Sequence, residues 1–219
     1  LGRLIGDKPW VRNAEKSFYE AVDHNYFATD FHIKMFMKNL FGKTAMPGAD
    51  FDGKVVRTGW PMEYMQDTLL PYKGMTKRNL ILFPHRIAPE KQVEIFRDLA
   101  EHLPQYEFVV CQDKQLTKEE YHTLLGEAKI VFSANLQETL GISCYEGAIV
   151  DAIPLVPDRL SYKEMYFNAF KYPSEWTESF ESYDTFRPKL CMTIMQHMDN
   201  YNTRLPLLSK QVHDLRINF

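Results

Sequence analysis

Cysteine is scarce in this sequence. Cys111, Cys144 and Cys191 are spread over 219 residues without a C-x-x-C pair, which argues against a disulfide framework and against a cysteine zinc site. Long apolar runs are missing, so no membrane span is expected, and residues 1–15 lack the layout of a signal peptide. Neither sign of charge dominates: 26 basic and 29 acidic residues leave a net charge of −3. The whole chain therefore has no electrostatic reason to coat a polyanion. Repeats and low-complexity tracts are also lacking. What remains is a soluble protein of a reducing compartment, expected in the cytoplasm. The chain opens Leu1-Gly-Arg-Leu-Ile without an initiator methionine, and reads as a piece of something longer.

Apolar material is plentiful, at 45% hydrophobic and 14% aromatic, enough for a sizeable core. Residues 13–22 and 31–40 read as helices around a short strand at Tyr26–Thr29, with Asp30 as the N-cap of the second. Lys54–Thr58 reads as a strand, and residues 72–77 as a linker. A regular rhythm then begins. Strands are expected at Asn79–Phe83, Glu107–Cys111, Lys129–Phe132 and Ile153–Val156. Helices are expected between them, at Pro89–Leu103, Thr117–Ala128 and Ser143–Asp151, and then from Tyr162 onward with breaks near Pro173 and Pro206. Alternation at this spacing predicts right-handed βαβ units and a parallel, doubly wound sheet. Ligands of such sheets bind at the carboxyl ends of the strands, so the loops 84–88, 112–116, 133–142 and 157–160 are the ones to inspect.

Two of these loops hold what a diphosphate-linked ligand needs. Arg86 follows the first strand, and Lys91 is placed one turn into the next helix. The third loop carries Glu138 and Gly141 and leads into a helix near Ser143, whose free N–H groups suit a phosphate. Duller readings stand beside each. Ser143…Glu146 fits a capping box, as do Thr117…Glu120 and Ser161…Glu164. Lone basic residues are by default solvated. The E-x7-E spacing of Glu138 and Glu146 recurs at Glu119 and Glu127 inside one helix, and only its strand–loop–Gly–helix context sets it apart. Phe41-Gly-Lys-Thr44 fails as a P-loop, because Met37 stands where the first glycine is required. His24 and His32 lack a carboxylate framework for metal. Cys144 reads as buried packing.

Phe83-Pro-His-Arg86…Lys91, Gln137-Glu-Thr-Leu-Gly-Ile-Ser-Cys-Tyr-Glu146 and Ile153-Pro-Leu-Val156 resemble the donor-domain signatures of retaining GT-B glycosyltransferases of the family-4 type, across about residues 78–165. Asp23–Thr29 and Thr58-Gly-Trp-Pro61 are similar, more loosely, to the close of that family's N-terminal domain. Pro157-Asp-Arg-Leu-Ser-Tyr162 resembles the transferases that mannosylate queuosine in tRNA, and related phage enzymes. The resemblance implies an α/β, Rossmann-like C-terminal GT-B domain with a remnant of the N-terminal one. Residues 1–72 would close the N-terminal acceptor domain, 73–200 would bind the donor, and 201–219 would form a C-terminal helix. It further implies that Arg86 and Lys91 bind the donor diphosphate as leaving group, and that Gly141, Ile142 and Ser143 contact the same phosphates. Glu138 would meet hydroxyls of the transferred sugar, and Glu146 both ribose hydroxyls. The donor would be a nucleotide-diphosphate sugar, its sugar transferred with retention and without a catalytic metal; the acceptor stays unidentified, with a nucleic acid and a polysaccharide as candidates. A non-catalytic nucleotide-binding module and a GT-B sugar-nucleotide epimerase are the alternatives. The sequence departs from the family at His85 and Gln92, where glycines are usual, at Thr139-Leu140, and at Gly147 in place of alanine.

Overall fold

A computed structural model describes residues 9–42, 53–60 and 63–219. Two parallel sheets organise it. The larger is built from β3 (Leu80–Phe83), β4 (Glu107–Val110), β5 (Ile130–Phe132), β6 (Ile153–Pro157) and β7 (Lys171–Tyr172), in the order β4-β3-β5-β6-β7, every neighbouring pair parallel. Helices α4 (Val93–His102), α5 (Lys118–Glu127) and α6 (Ile142–Ile149) connect its first four strands.

The strand sequences explain the two covered faces. All four residues of β3 are fully buried, because Ile81 and Phe83 face one apolar cluster while Leu80 and Leu82 face another. A strand apolar at every position has no side for water, so both faces must be covered by helices. On one face α4 packs with α8 (Phe180–Asp199) through Phe96, Leu99, Tyr183 and Leu190; on the other, α6 contributes Cys144, Tyr145 and Ile149. Gly147 lets α6 lie close on β5, since a Cβ there would collide with the Val131 side chain. The expected α/β class, a Rossmann-like doubly wound parallel sheet, is what the structure has.

The smaller unit pairs β1 (Asn25–Phe27) with β2 (Val55–Arg57), again in parallel, with α1 (Pro9–Ala21) and α2 (Asp30–Phe41) alongside. Its core is modest: Phe27, Ile33, Met37 and Val55. A short helix, α3 (Glu63–Leu69), leads towards the larger sheet. Among the described residues, polar ties in several places hold the units together. Glu164, in α7 (Tyr162–Met165), accepts hydrogen bonds from the Asp30 and Phe31 amides at 3.1 and 2.8 Å. Thr29 Oγ1 donates to the Thr139 carbonyl at 3.1 Å. At the end of α9 (Tyr201–Asn218), Phe219 accepts from the Trp60 amide and packs under the Arg57 guanidinium, 4.7 Å from the ring centre.

Several expectations need correction. The first helix begins at Pro9, whose missing N–H is harmless in a first turn. The N-cap of α2 is Thr29, whose hydroxyl accepts from the His32 amide at 3.1 Å; Asp30 is already helical. The Thr117…Glu120 capping box forms, but the other two do not. Ser161 makes no side-chain cap bond, because its backbone is already helical and the Glu164 amide bonds to the Ser161 carbonyl, while the Glu164 carboxylate reaches α2. The final helical pair breaks at Asn200, whose side chain bonds back to the Gln196 carbonyl at 2.9 Å, and Pro206 lies within α9. Strand β7 was not expected at all. The Lys43 and Thr44 of the rejected P-loop lie outside the described residues. No helix among the described residues is long and apolar enough to cross a membrane.

Candidate active site

At the carboxyl ends of β3 and β5 lies an open hollow of about 350 Å³, lined by Pro84, His85, Arg86 and Lys91 from one side and by residues 138–143 from the other. Arg86, Lys91 and Glu138 thus come together from two loops, with Gly141, Ile142 and Ser143 beside them. Glu146 does not line this hollow. It sits one turn further along α6.

Lys91 reaches the hollow by an unexpected route. Pro89–Lys91 forms a separate 3-10 turn, because Gln92 takes a left-handed backbone (φ 54, ψ 50) before α4 begins. A non-glycine residue in that region costs about 1–2 kcal/mol. The Gln92 amide offsets the cost from inside the protein, donating to the Ala134 and Thr177 carbonyls at 2.6 and 2.7 Å. The expected position of Lys91 within the helix is therefore wrong. The turn aims its ammonium across to the opposite loop, 3.1 Å from Glu138 Oε2 and 2.9 Å from the Gln137 carbonyl. Arg86 is different. It extends into solvent, 71% exposed, while its guanidinium is held by the buried carboxylate of Glu90.

Glu138 is well supported. Oε2 accepts from Lys91 and from Asn135 Nδ2 at 3.2 Å, and Oε1 from the Thr139 amide at 3.0 Å. Burial opposes its ionisation, but the Lys91 charge and these hydrogen bonds outweigh it and hold the carboxyl below its ordinary range. Beneath this loop, buried Arg159 donates to the carbonyls of Ala134, Asn135 and Ser174 and to Thr177, so no carboxylate is needed to satisfy it. His85 lies against Ser143, Nδ1 to Oγ 3.3 Å, and burial together with the nearby Lys91 charge pushes it down to about 4. It is therefore a neutral group of the wall at physiological pH.

The third loop turns into α6 at Gly141. Its φ of +76 suits glycine, and a Cβ there would lie 2.5 Å from the Tyr162 ring. Gly141 is the N-cap, so α6 opens without a side-chain cap and its first amides, at Ile142 and Ser143, have no intrahelical acceptor. The capping-box reading of Glu146 fails for the same reason. The helix starts too early, and Glu146 instead accepts from the Tyr121 hydroxyl at 2.9 Å. Burial raises its carboxyl above the ordinary range, against the opposing pull of Tyr121 and Lys118. Cys144 is buried, its thiol pushed up to about 12, which excludes a reactive thiolate.

Sequence reasoning missed Glu90, Gln92, Asn135, Tyr162 and Tyr121 as supports of this site. A buried glutamate next to Lys91 carries no periodic signal, and Tyr121 reads as an ordinary residue of an amphipathic helix.

No family model matches the sequence, and no curated protein matches it. Solved structures do. A complex of S. aureus TarM with fondaparinux, alpha-GlcNAc-glycerol and UDP superposes with a TM-score of 0.65 at 13% identity, over 98% of this chain and 45% of that one. A glycosyltransferase from Rickettsia africae gives 0.59 at 14%, over 98% and 64%. The pneumococcal O-GlcNAc transferase GtfA, in complex with UDP and GlcNAc, gives 0.61 at 14%, over 93% and 44%. The likeness shows a shared fold, that of GT-B glycosyltransferases. This chain spans between 44% and 64% of the length of these three structures.

Proposed function

We propose that the chain carries the donor-binding half of a glycosyltransferase that moves a sugar from a nucleotide-diphosphate sugar to an acceptor with retention of configuration. One observation carries this reading. Two cations, a carboxylate and the open N-terminus of α6 surround a single hollow at the carboxyl end of a parallel sheet, where such sheets bind their ligands.

The chemistry follows from charge. Breaking the bond from the anomeric carbon to the diphosphate leaves negative charge on the phosphate oxygens. Arg86, Lys91 and the amides of Ile142 and Ser143 are placed to stabilise that charge, which favours the transition state over the ground state. No catalytic metal is required in this scheme. Glu138, ionised and accepting only, takes hydroxyls of the transferred sugar, and Glu146 takes those of the ribose. The UDP carried by the TarM and GtfA structures makes a uridine nucleotide the first donor to try.

A thermal-shift panel of UDP, GDP and ADP with their sugars tests the reading. Ligand at 100 times its dissociation constant adds about 2.7 kcal/mol to stability, and one base should give the largest shift. Sugar release on adding tRNA, DNA or polysaccharide then separates an enzyme from a nucleotide-binding module. A flat panel rejects the donor-site assignment.

A further inference from the structure

We infer that Tyr121 is a positioning residue for ribose recognition, holding Glu146 with one carboxylate oxygen engaged and the other presented to the ligand. The inference rests on the donor reading above and deepens it. Glu146 lies on α6 one turn beyond Ser143, which lines the hollow, and it is half-buried. Among the described residues its carboxylate has a single hydrogen bond, from the Tyr121 hydroxyl to Oε2, and Oε1 takes no protein donor.

The phenol comes from a different helix, α5, and its ring packs against the apolar cluster that also contains Leu82, Leu125 and Cys144. That packing anchors the donor, so the hydroxyl selects one rotamer of a side chain that would otherwise sample several. A vicinal diol needs an acceptor in a defined place. With Oε2 held, Oε1 keeps both lone pairs for hydroxyl donors, and Oε2 keeps one.

The test uses Tyr121→Phe, which keeps the ring and removes only the hydroxyl. Calorimetry would measure the affinity of the full protein for UDP, GDP and ADP, and for their 2′,3′-dideoxy forms. Losing a hydrogen bond to a charged group weakens binding by about tenfold. That loss is expected for the preferred ribonucleotide and not for its dideoxy form. Tyr121→Phe combined with Glu146→Ala should bind the ribonucleotide no more weakly than Glu146→Ala alone. Equal losses on both sugars mean that Tyr121 merely supports the fold, and no loss on either means that Glu146 is oriented without it. Each outcome overturns the inference and leaves the donor reading intact. A wild-type protein that binds none of the nucleotides overturns the donor reading itself.

Discussion

The loop carrying Glu138 and the helix carrying Glu146 hold the same residue type eight positions apart, yet the protein treats the two carboxylates in opposite ways. Glu138 is surrounded by Lys91, the Asn135 amide and the Thr139 N–H, and its ionised form is favoured. Glu146 has one neutral phenol, and burial disfavours its charge. The lesson is that an E-x7-E spacing specifies only position. What each acid can do is set by the donors that other segments bring to it. A carboxylate with its donors in place is a stabilising part of the fold. One with a single donor has acceptor capacity left over, which the proposed ribose contact would use.

The largest effect that bears on this contrast comes from the cations beside Glu138. Arg86→Ala should lower sugar release from the donor by on the order of 10²–10³; because it also leaves the buried Glu90 carboxylate without its cation, the thermal midpoint should fall with it, and adding Glu90→Gln should restore the midpoint while turnover stays low. Near-normal turnover would leave only Lys91 and the helix amides as the charge-stabilising machinery.

Next in size is the junction between the two acids. Gly141→Ala should destabilise by at least about 1–2 kcal/mol, from its left-handed backbone and the collision with Tyr162. Nucleotide affinity should fall with it. An unchanged urea midpoint would mean that the loop can reach α6 by another turn.

The acids themselves give the sharpest contrast. Glu138→Gln should cost about 1–2 kcal/mol at neutral pH. Glu138 has a depressed pKa in the folded chain, so its contribution is present above the unfolded carboxyl range, about 4.3, and is lost as pH falls through the lower folded value. Urea titrations of parent and variant should therefore converge in acid. Glu146 has a raised pKa, so it favours the folded chain only while protonated, and that contribution is lost as pH rises through the folded value. Glu146→Gln should accordingly lie within about 0.5 kcal/mol of the parent at neutral pH, even as ribonucleotide affinity falls. Equal destabilisation by the two variants would erase the distinction drawn here.

The last effect is one of stability alone and concerns the tie from the smaller unit to the Glu138 loop. Thr29→Val removes both the cap of α2 and the hydrogen bond to the Thr139 carbonyl, and should cost about 1 kcal/mol. A chemical-denaturation midpoint unmoved by this change would show that the loop holds its shape without the smaller unit.

Much of this architecture was legible in the residues. Runs such as Leu80–Phe83 and Ile130–Phe132, separated by helices of ten residues, leave little besides a parallel sheet covered on both faces. Arg86, Lys91, Glu138 and Gly141 were also legible, since topology alone directs attention to loops at strand ends. What was hidden depends on contacts between distant segments. Strand β7 is two residues long and exists only because β6 offers it an edge. The left-handed turn at Gln92 depends on carbonyls 42 and 85 residues away. The capping-box pattern at Ser143 was misleading, because Gly141 starts the helix first and Tyr121 claims the acid.

A crystal structure of the protein with its preferred nucleoside diphosphate tests the central claim most directly. It should show the diphosphate in the hollow, within hydrogen-bonding distance of Arg86, Lys91 and the Ile142 and Ser143 amides, with the ribose against Glu146. A nucleotide bound at full occupancy anywhere else, with Lys91 and Glu138 still closed on each other over an empty hollow, would contradict it.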